Sequence, residues 1–184
     1  ATRVDVEIDA NEIAMTAVTV RDNGHGIPHD EVESLFGKLG GSWKRHGSRS
    51  KDKGRRLHGK EGKGRLKALA LGRSAVWTVR YLQNGELMSY VISLLRDDLV
   101  DVRVTEPTEA EPALGTGVEV RVTELDRTYR SLDPARSVQA LSEVFALYLT
   151  DYSEVGIYVE HDRLDPSALI ADRQIFELEP IVEG

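Results

Sequence analysis

Over residues 3–8 apolar and charged side chains alternate, with Val4, Val6 and Ile8 set between Arg3, Asp5 and Glu7. An extended strand turns such a pattern into one buried and one wet face, because successive side chains point to opposite sides. Strand patterning returns at residues 13–20, 75–82, 86–94, 99–105, 118–122 and 156–160. The first two strands read as a hairpin across Asp9-Ala10-Asn11-Glu12, and Asn84-Gly85 marks a second hairpin. Three segments carry helical spacing instead. Residues 29–36 have Pro28 at their start and Val32, Leu35 and Phe36 on one face. A second helix opens after Gly64, carries Leu66, Ala68, Leu69 and Leu71, and ends near Gly72. The longest, 134–149, puts Val138, Leu141, Val144, Phe145 and Leu149 on one stripe. Runs of strands with a few helices between them predict an α+β fold: a mainly antiparallel sheet with helices on one face.

The chain has 184 residues and no Cys. Its length fits one domain, here residues 1–166, with 167–184 as a tail or the start of a linker. Without Cys there is no disulfide scaffold, thiolate metal site or Cys nucleophile, which fits a reducing, cytoplasmic setting. No apolar run approaches the ~18 residues of a membrane span, and no leader sequence opens the chain. The first residue is Ala1, not Met, as expected of a processed chain or a piece of a longer one. The net charge of −7 hides an asymmetry. Between Lys38 and Lys67 twelve Lys and Arg face only Asp52 and Glu61, so an acidic body carries one basic segment. That distribution points to a local anion site more than to a surface that coats nucleic acid. Within it, residues 37–58 show no periodicity and hold five glycines. An aperiodic stretch of roughly twenty residues in a compact domain is usually a lid or a binding loop.

Three short motifs frame this segment: Asp22-Asn23-Gly24-His25-Gly26-Ile27, then Gly59-Lys60-Glu61-Gly62-Lys63-Gly64, then Gly115-Thr116-Gly117. An Asp at a strand end can accept a hydrogen bond from an amine such as that of adenine, and the glycines after it let a flat ring approach the backbone. Gly59–Gly64 runs into a helix, so free N–H groups and the helix dipole converge on an anion, with Lys60 and Lys63 adding charge. Thr116 offers a hydroxyl at a strand start. Each motif alone is weak. The second is not a Walker-type phosphate loop, since no Gly-Lys-Ser/Thr triplet follows, nor a Rossmann turn, since no strand precedes it. All three in order, with a basic lid between the first two, form a specific signal. Plainer roles fit the neighbours: His25 as a turn residue, Glu61 as a helix-start carboxylate, Trp43 as a lid anchor and Trp77 as core. His46 and His58 lack the spaced partners of a metal site, and Asp151, Glu154, Asp162 and Asp165 form a solvated acidic face.

With these motifs the chain resembles the GHKL superfamily, the ATPase domain shared by DNA gyrase, the ninety-kilodalton heat-shock chaperone, histidine kinases and MutL. The likeness runs from about residue 1 to 166. Phe36-Gly37-Lys38-Leu39-Gly40 makes it most similar to the chaperone, MORC and MutL side. The resemblance implies a Bergerat-type sandwich with a long ATP lid over residues 37–58. It implies that Asp22 binds the adenine amine and that Gly24, Gly26 and Ile27 line the ring. Lys38, Gly59, Lys60, Gly62, Lys63 and Gly64 would meet the phosphates, and Thr116 would back the adenine pocket. ATP or ADP is the implied ligand, and lid closure couples to dimerisation in such domains. The client, protein or DNA, is left open.

One departure counts more than any match. The superfamily places a Glu that activates water and an Asn that holds magnesium on a helix before the first strand. In this stretch only Ala1 and Thr2 precede Arg3, and Asn11 and Glu12 stand in a turn in the wrong order. The expectation is nucleotide binding with weak or no hydrolysis by this piece, and a doubtful magnesium site. Two alternatives stand beside it: a non-hydrolysing, nucleotide-sensing or partner-docking module, and a nucleic-acid-binding module built on residues 38–67. The latter would show steep salt dependence, and the scarcity of aromatics in that stretch, Trp43 alone, counts against it.

Overall fold

The computed structural model describes residues 1–36 and 67–170. The aperiodic basic stretch, with Lys38, Trp43, His46, His58 and the motif Gly59–Gly64, lies outside the described residues, as does the lid expected there. So do residues 171–184.

Among the described residues nine strands form one open sheet: β1 (Arg3–Ala10), β2 (Met15–Asp22), β3 (Gly72–Gln83), β4 (Glu86–Leu95), β5 (Asp98–Val104), β6 (Thr108–Glu109), β7 (Gly117–Leu125), β8 (Gly156–Val159) and β9 (Asp162–Arg163). Their order is β5-β4-β3-β7-β2-β1-β8-β9, with β6 also paired to β4. The described pairs are antiparallel except β1–β8. Two helices stand out among the described residues: α1 (Val32–Phe36), entered through a 3-10 turn at His29–Glu31, and α2 (Pro134–Asp151). The expected hairpins are present, with Val6 opposite Val20 in the first and Gln83 opposite Glu86 in the second.

Register explains why both helices sit on the same side. Val6 pairs with Val20, Val20 with Val120, and Val120 with Trp77. One face of the central sheet is therefore a continuous apolar row, and partners directly opposite share a face. Val32 and Phe36 of α1 join Trp77, Val79, Tyr81, Tyr90 and Ile92 in one core. Val138, Leu141, Phe145 and Leu149 of α2 join Val4, Val6, Ile157 and Val159 in a second. The opposite face is polar. There Arg21 reaches Glu7 and Glu119, each at 2.5 Å, while Arg121 reaches Asp9 at 2.6 Å and donates to the Thr19 hydroxyl at 2.9 Å. These pairs are partly exposed and stabilise by at most about 1 kcal/mol each. Trp77 is core, as its position in the alternation requires.

Several details depart from the sequence expectations. Ile13 is 92% exposed and belongs to the turn, because Asn11 Oδ1 accepts from the N–H groups of Ile13 and Ala14 and β2 starts only at Met15. Gly72 follows the end of the short helical stretch, as expected, and also opens β3, buried where a Cβ would meet Thr123 O at 2.3 Å. The acidic loop before Gly115 contains β6. Val144 leaves the core stripe and is 60% exposed: it precedes Phe145 by one residue, and the ~100° turn per residue carries it off the buried face. Beyond the last expected strand, β9 pairs with β8 and Leu164 is buried.

The start of α2 is sharply set. Asp133 Oδ1 accepts from Arg136 N–H at 3.2 Å, and Pro134 takes the first helical position, where no N–H is needed. Asp133→Ala is expected to cost about 1 kcal/mol and lower the melting midpoint by about 2–4 °C, read by thermal circular dichroism. An unchanged midpoint would mean that the cap contributes nothing.

Candidate functional site

The first glycine motif begins where β2 ends. Asp22 is the last residue of β2, opposite Val4 on one side and Val118 on the other, and it alternates onto the helix-covered face with Val18 and Val20. Its Oδ1 accepts the Gly24 N–H at 2.7 Å, an Asx turn that fixes both the carboxylate and the bend after it. Asn23 faces the other way. Its Oδ1 accepts from the N–H groups of Thr2 at 2.7 Å and Arg3 at 2.8 Å, and its Nδ2 donates to Thr2 Oγ1 at 3.0 Å. Asn23 thus ties the start of the chain to the motif.

Gly26 needs to be glycine twice over. Its φ is +74°, and a Cβ there would lie 2.1 Å from Arg80 O and 2.8 Å from Arg80 C. The turn is therefore pressed onto the backbone of β3. His25 is exposed, with its ring Nδ1 2.6 Å from Gly26 O, in keeping with a turn residue. Ile27 packs on the larger core, and its carbonyl accepts the Tyr90 hydroxyl at 2.8 Å. Tyr90 is 2% exposed, with its ring edge-on to His29 at 5.0 Å and to Tyr81 at 5.7 Å. Burial, with Tyr81, Glu31 and Asp30 adding, pushes the Tyr90 hydroxyl well above its ordinary pKa, so it remains a donor.

The third motif arrives at the same end of the sheet. Gly117 opens β7 opposite Arg80, and a Cβ on it would lie 2.0 Å from Asp22 O. Gly115 accepts at its carbonyl from Arg80 Nε at 3.1 Å. The Asp22 turn and the Gly115–Gly117 turn are thus neighbours, joined through Gly117 and Arg80. Thr116 itself lines a cavity of about 520 Å³ with Leu82, Leu87, Glu109 and Pro112, none of them from the Asp22 turn.

The structure therefore brings Asp22, Gly24, Gly26 and Ile27 into one turn, and sets Thr116 beside it but on a different cavity. Lys38, Gly59, Lys60, Gly62, Lys63 and Gly64 lie outside the described residues. Sequence reasoning missed Tyr90 and Arg80. Both stand in the strand alternation, which marks Tyr90 as core and carries no sign of where a hydroxyl or guanidinium bonds. Among the described residues no three His, Cys, Asp or Glu side chains converge to hold a metal ion, and the Asn23 amide is already engaged. No helix among the described residues is long and apolar enough to cross a membrane.

Residues 1–112 match the family model of the histidine kinase-, DNA gyrase B- and HSP90-like ATPases. No curated protein matches the chain. Among solved structures, the ATPase and transducer domains of DNA topoisomerase II from Balamuthia mandrillaris superpose with a TM-score of 0.58 at 18% identity, over 89% of this chain and 42% of that one. The ATPase region of Saccharomyces cerevisiae topoisomerase II gives 0.57 at 17% identity, over 89% and 43%. The same yeast region bound to dexrazoxane gives 0.57 at 16%, with the same shares. The chain spans less than half the length of these structures, and at such identity the likeness carries the fold.

Proposed function

The chain belongs to the histidine kinase-, DNA gyrase B- and HSP90-like ATPase family, and from that premise we propose that it is an ATP-binding domain whose nucleotide sets lid closure and association with a partner or a second copy. The observation that carries this reading is the Asp22 turn. A carboxylate stands at a strand end on the helix-covered face, fixed by Gly24, beside a turn that glycine lets lie flat on β3. Asp22 accepts from the adenine amine, Gly24, Gly26 and Ile27 border the ring, and Thr116, just before β7, backs the pocket. Lys38, Gly59, Lys60, Gly62, Lys63 and Gly64 meet the phosphates, where backbone N–H groups and positive charge favour an anion. Residues 37–58 form the lid. The motif from Phe36 to Gly40 supports a place on the chaperone, MORC and MutL side, in a cytoplasmic protein.

Calorimetric titration with ADP and with a non-hydrolysable ATP analogue, each with and without magnesium, tests the reading. Saturable binding of both, little changed by magnesium, is the expected result. No heat at millimolar nucleotide overturns it.

Hydrolysis by these 184 residues is expected to be weak. Phosphoryl transfer depends on positioning, charge neutralisation and an oriented nucleophile. The stretch supplies no Glu and Asn of the kind the superfamily sets on a helix before β1. Phosphate release in saturating ATP should match a protein-free control, and turnover at the rate of an intact relative would sink this expectation.

A further inference from the structure

We propose that Tyr90 is a positioning residue for the nucleotide site: its hydroxyl clamps the Ile27 carbonyl and so holds the Asp22–Ile27 turn in the shape that selects adenine. The inference rests on the nucleotide reading above and adds to it a residue from a distant strand.

A turn rich in glycine has little stiffness of its own. Besides the tie from Asn23 to Thr2 and Arg3, this one is held at its start, its middle and its far end. Its start is fixed by the bond from Gly24 N–H to Asp22 Oδ1. Its middle is seated by Gly26 on the Arg80 carbonyl, a contact that permits close approach but forms no bond. Its far end is held by the bond from Tyr90 to Ile27 O at 2.8 Å. The last is a hydrogen bond from a side chain of a distant strand. Tyr90 can serve because it is itself fixed. It sits mid-strand in β4, opposite Val79, and is 2% exposed, with the rings of Tyr81 and His29 edge-on to it. A side chain packed this way has one rotamer, so its hydroxyl marks one place in space. Base selection needs such rigidity, because an amine and a carbonyl on a purine differ only in where a donor must stand.

Tyr81 supplies the control. It belongs to the same buried cluster, but its hydroxyl lies 3.1 Å from Gln83 Oε1 and does not touch the turn. Tyr90→Phe and Tyr81→Phe each remove one hydroxyl from that cluster and leave both rings in place. The experiment is calorimetric titration of the wild-type chain and both variants with ADP and with GDP, beside thermal melts. Tyr90→Phe is expected to weaken ADP by about fivefold to tenfold, the worth of one good hydrogen bond. It should also narrow the ADP-to-GDP affinity ratio. Tyr81→Phe is expected to leave affinity and ratio at the wild-type values, even if its melt moves. Wild-type binding that Tyr90→Phe leaves unchanged in affinity and ratio overturns the proposal. So does an equal loss in both variants, or a Tyr90→Phe loss that falls equally on ADP and GDP, since those report general loosening of the core. Failure of the wild-type chain to bind ADP at all overturns the nucleotide reading itself, and the role of Tyr90 with it.

Discussion

Asp22→Asn is expected to weaken ADP binding by about 100-fold while leaving the fold intact. The substitution is nearly isosteric, and the asparagine keeps an oxygen for the Gly24 N–H, now donated at 2.7 Å. The turn should therefore survive. What changes is the other end of the group. A carboxylate accepts at both oxygens, whereas an amide that spends its oxygen on Gly24 presents an NH₂ to the adenine amine. A charge-assisted bond becomes a donor facing a donor. Hydrogen bonds to charged groups are worth about 1.5–3 kcal/mol, and each 1.4 kcal/mol is tenfold in affinity. The melting midpoint should move by no more than about 2 °C, because the bond from Gly24 N–H to the Asp22 carboxylate is kept. Titration beside a thermal melt checks both halves. Undiminished ADP affinity would remove Asp22 from the site and with it the main support for the adenine pocket.

The sheet was legible because its strands alternate cleanly. Val4, Val6 and Ile8 in β1 and Val118, Val120 and Val122 in β7 announce one buried face, and the structure lays those rows on either side of Val18, Val20 and Asp22 of β2. Turn chemistry was legible where it is strong, as at Asn84-Gly85. Boundaries were less so. Ile13 extends the apolar pattern of β2, yet the Asn11 side chain captures the N–H groups of Ile13 and Ala14 and holds both in the turn. Gly72 has the composition of a helix stop, but what fixes it is the backbone of β7 pressed against its missing side chain. A contact between strands fifty residues apart leaves no local trace.

The site divides along the same line. Asp22, Gly24 and Gly26 form a local motif, and local motifs can be read. The meeting of that motif with Gly115–Gly117 depends on β7 lying beside β2, which the order of strands along the chain does not reveal. Tyr90 was invisible as anything but core, since a tyrosine on the buried face of a strand has the same spacing whether or not its hydroxyl holds a loop. Thr116 differs from its neighbour. The motif singles it out, whereas the structure gives the contact to its neighbour Gly117 and turns Thr116 toward a separate cavity.

Those contacts set the largest expected loss of stability. In Gly26→Ala the backbone must keep φ near +74°, which costs about 1–3 kcal/mol for a residue with a side chain. The new methyl must also find room where Arg80 O lies 2.1 Å away. That oxygen cannot step aside cheaply, because β3 is hydrogen-bonded to β4 on one side and to β7 on the other. Overpacking of this kind adds about 1–3 kcal/mol or more. The sum, about 2–6 kcal/mol, is a large fraction of the ~5–15 kcal/mol that holds a domain together, and it should lower the melting midpoint by about 10 °C. Gly117→Ala should cost a similar amount, for its methyl would lie 2.0 Å from the Asp22 carbonyl oxygen. The two variants then part company in what remains folded. Gly26→Ala pushes the turn away from β3, whereas Gly117→Ala strikes the residue that carries the carboxylate. Folded Gly117→Ala, assayed well below its midpoint, should bind ADP at least about tenfold more weakly than wild type, a displacement of one good hydrogen bond. Melts within about 2 °C of wild type for both variants would show that the two turns are not wedged against the sheet as described. Full ADP affinity in a destabilised Gly117→Ala would separate the packing of the strand ends from the binding of the base.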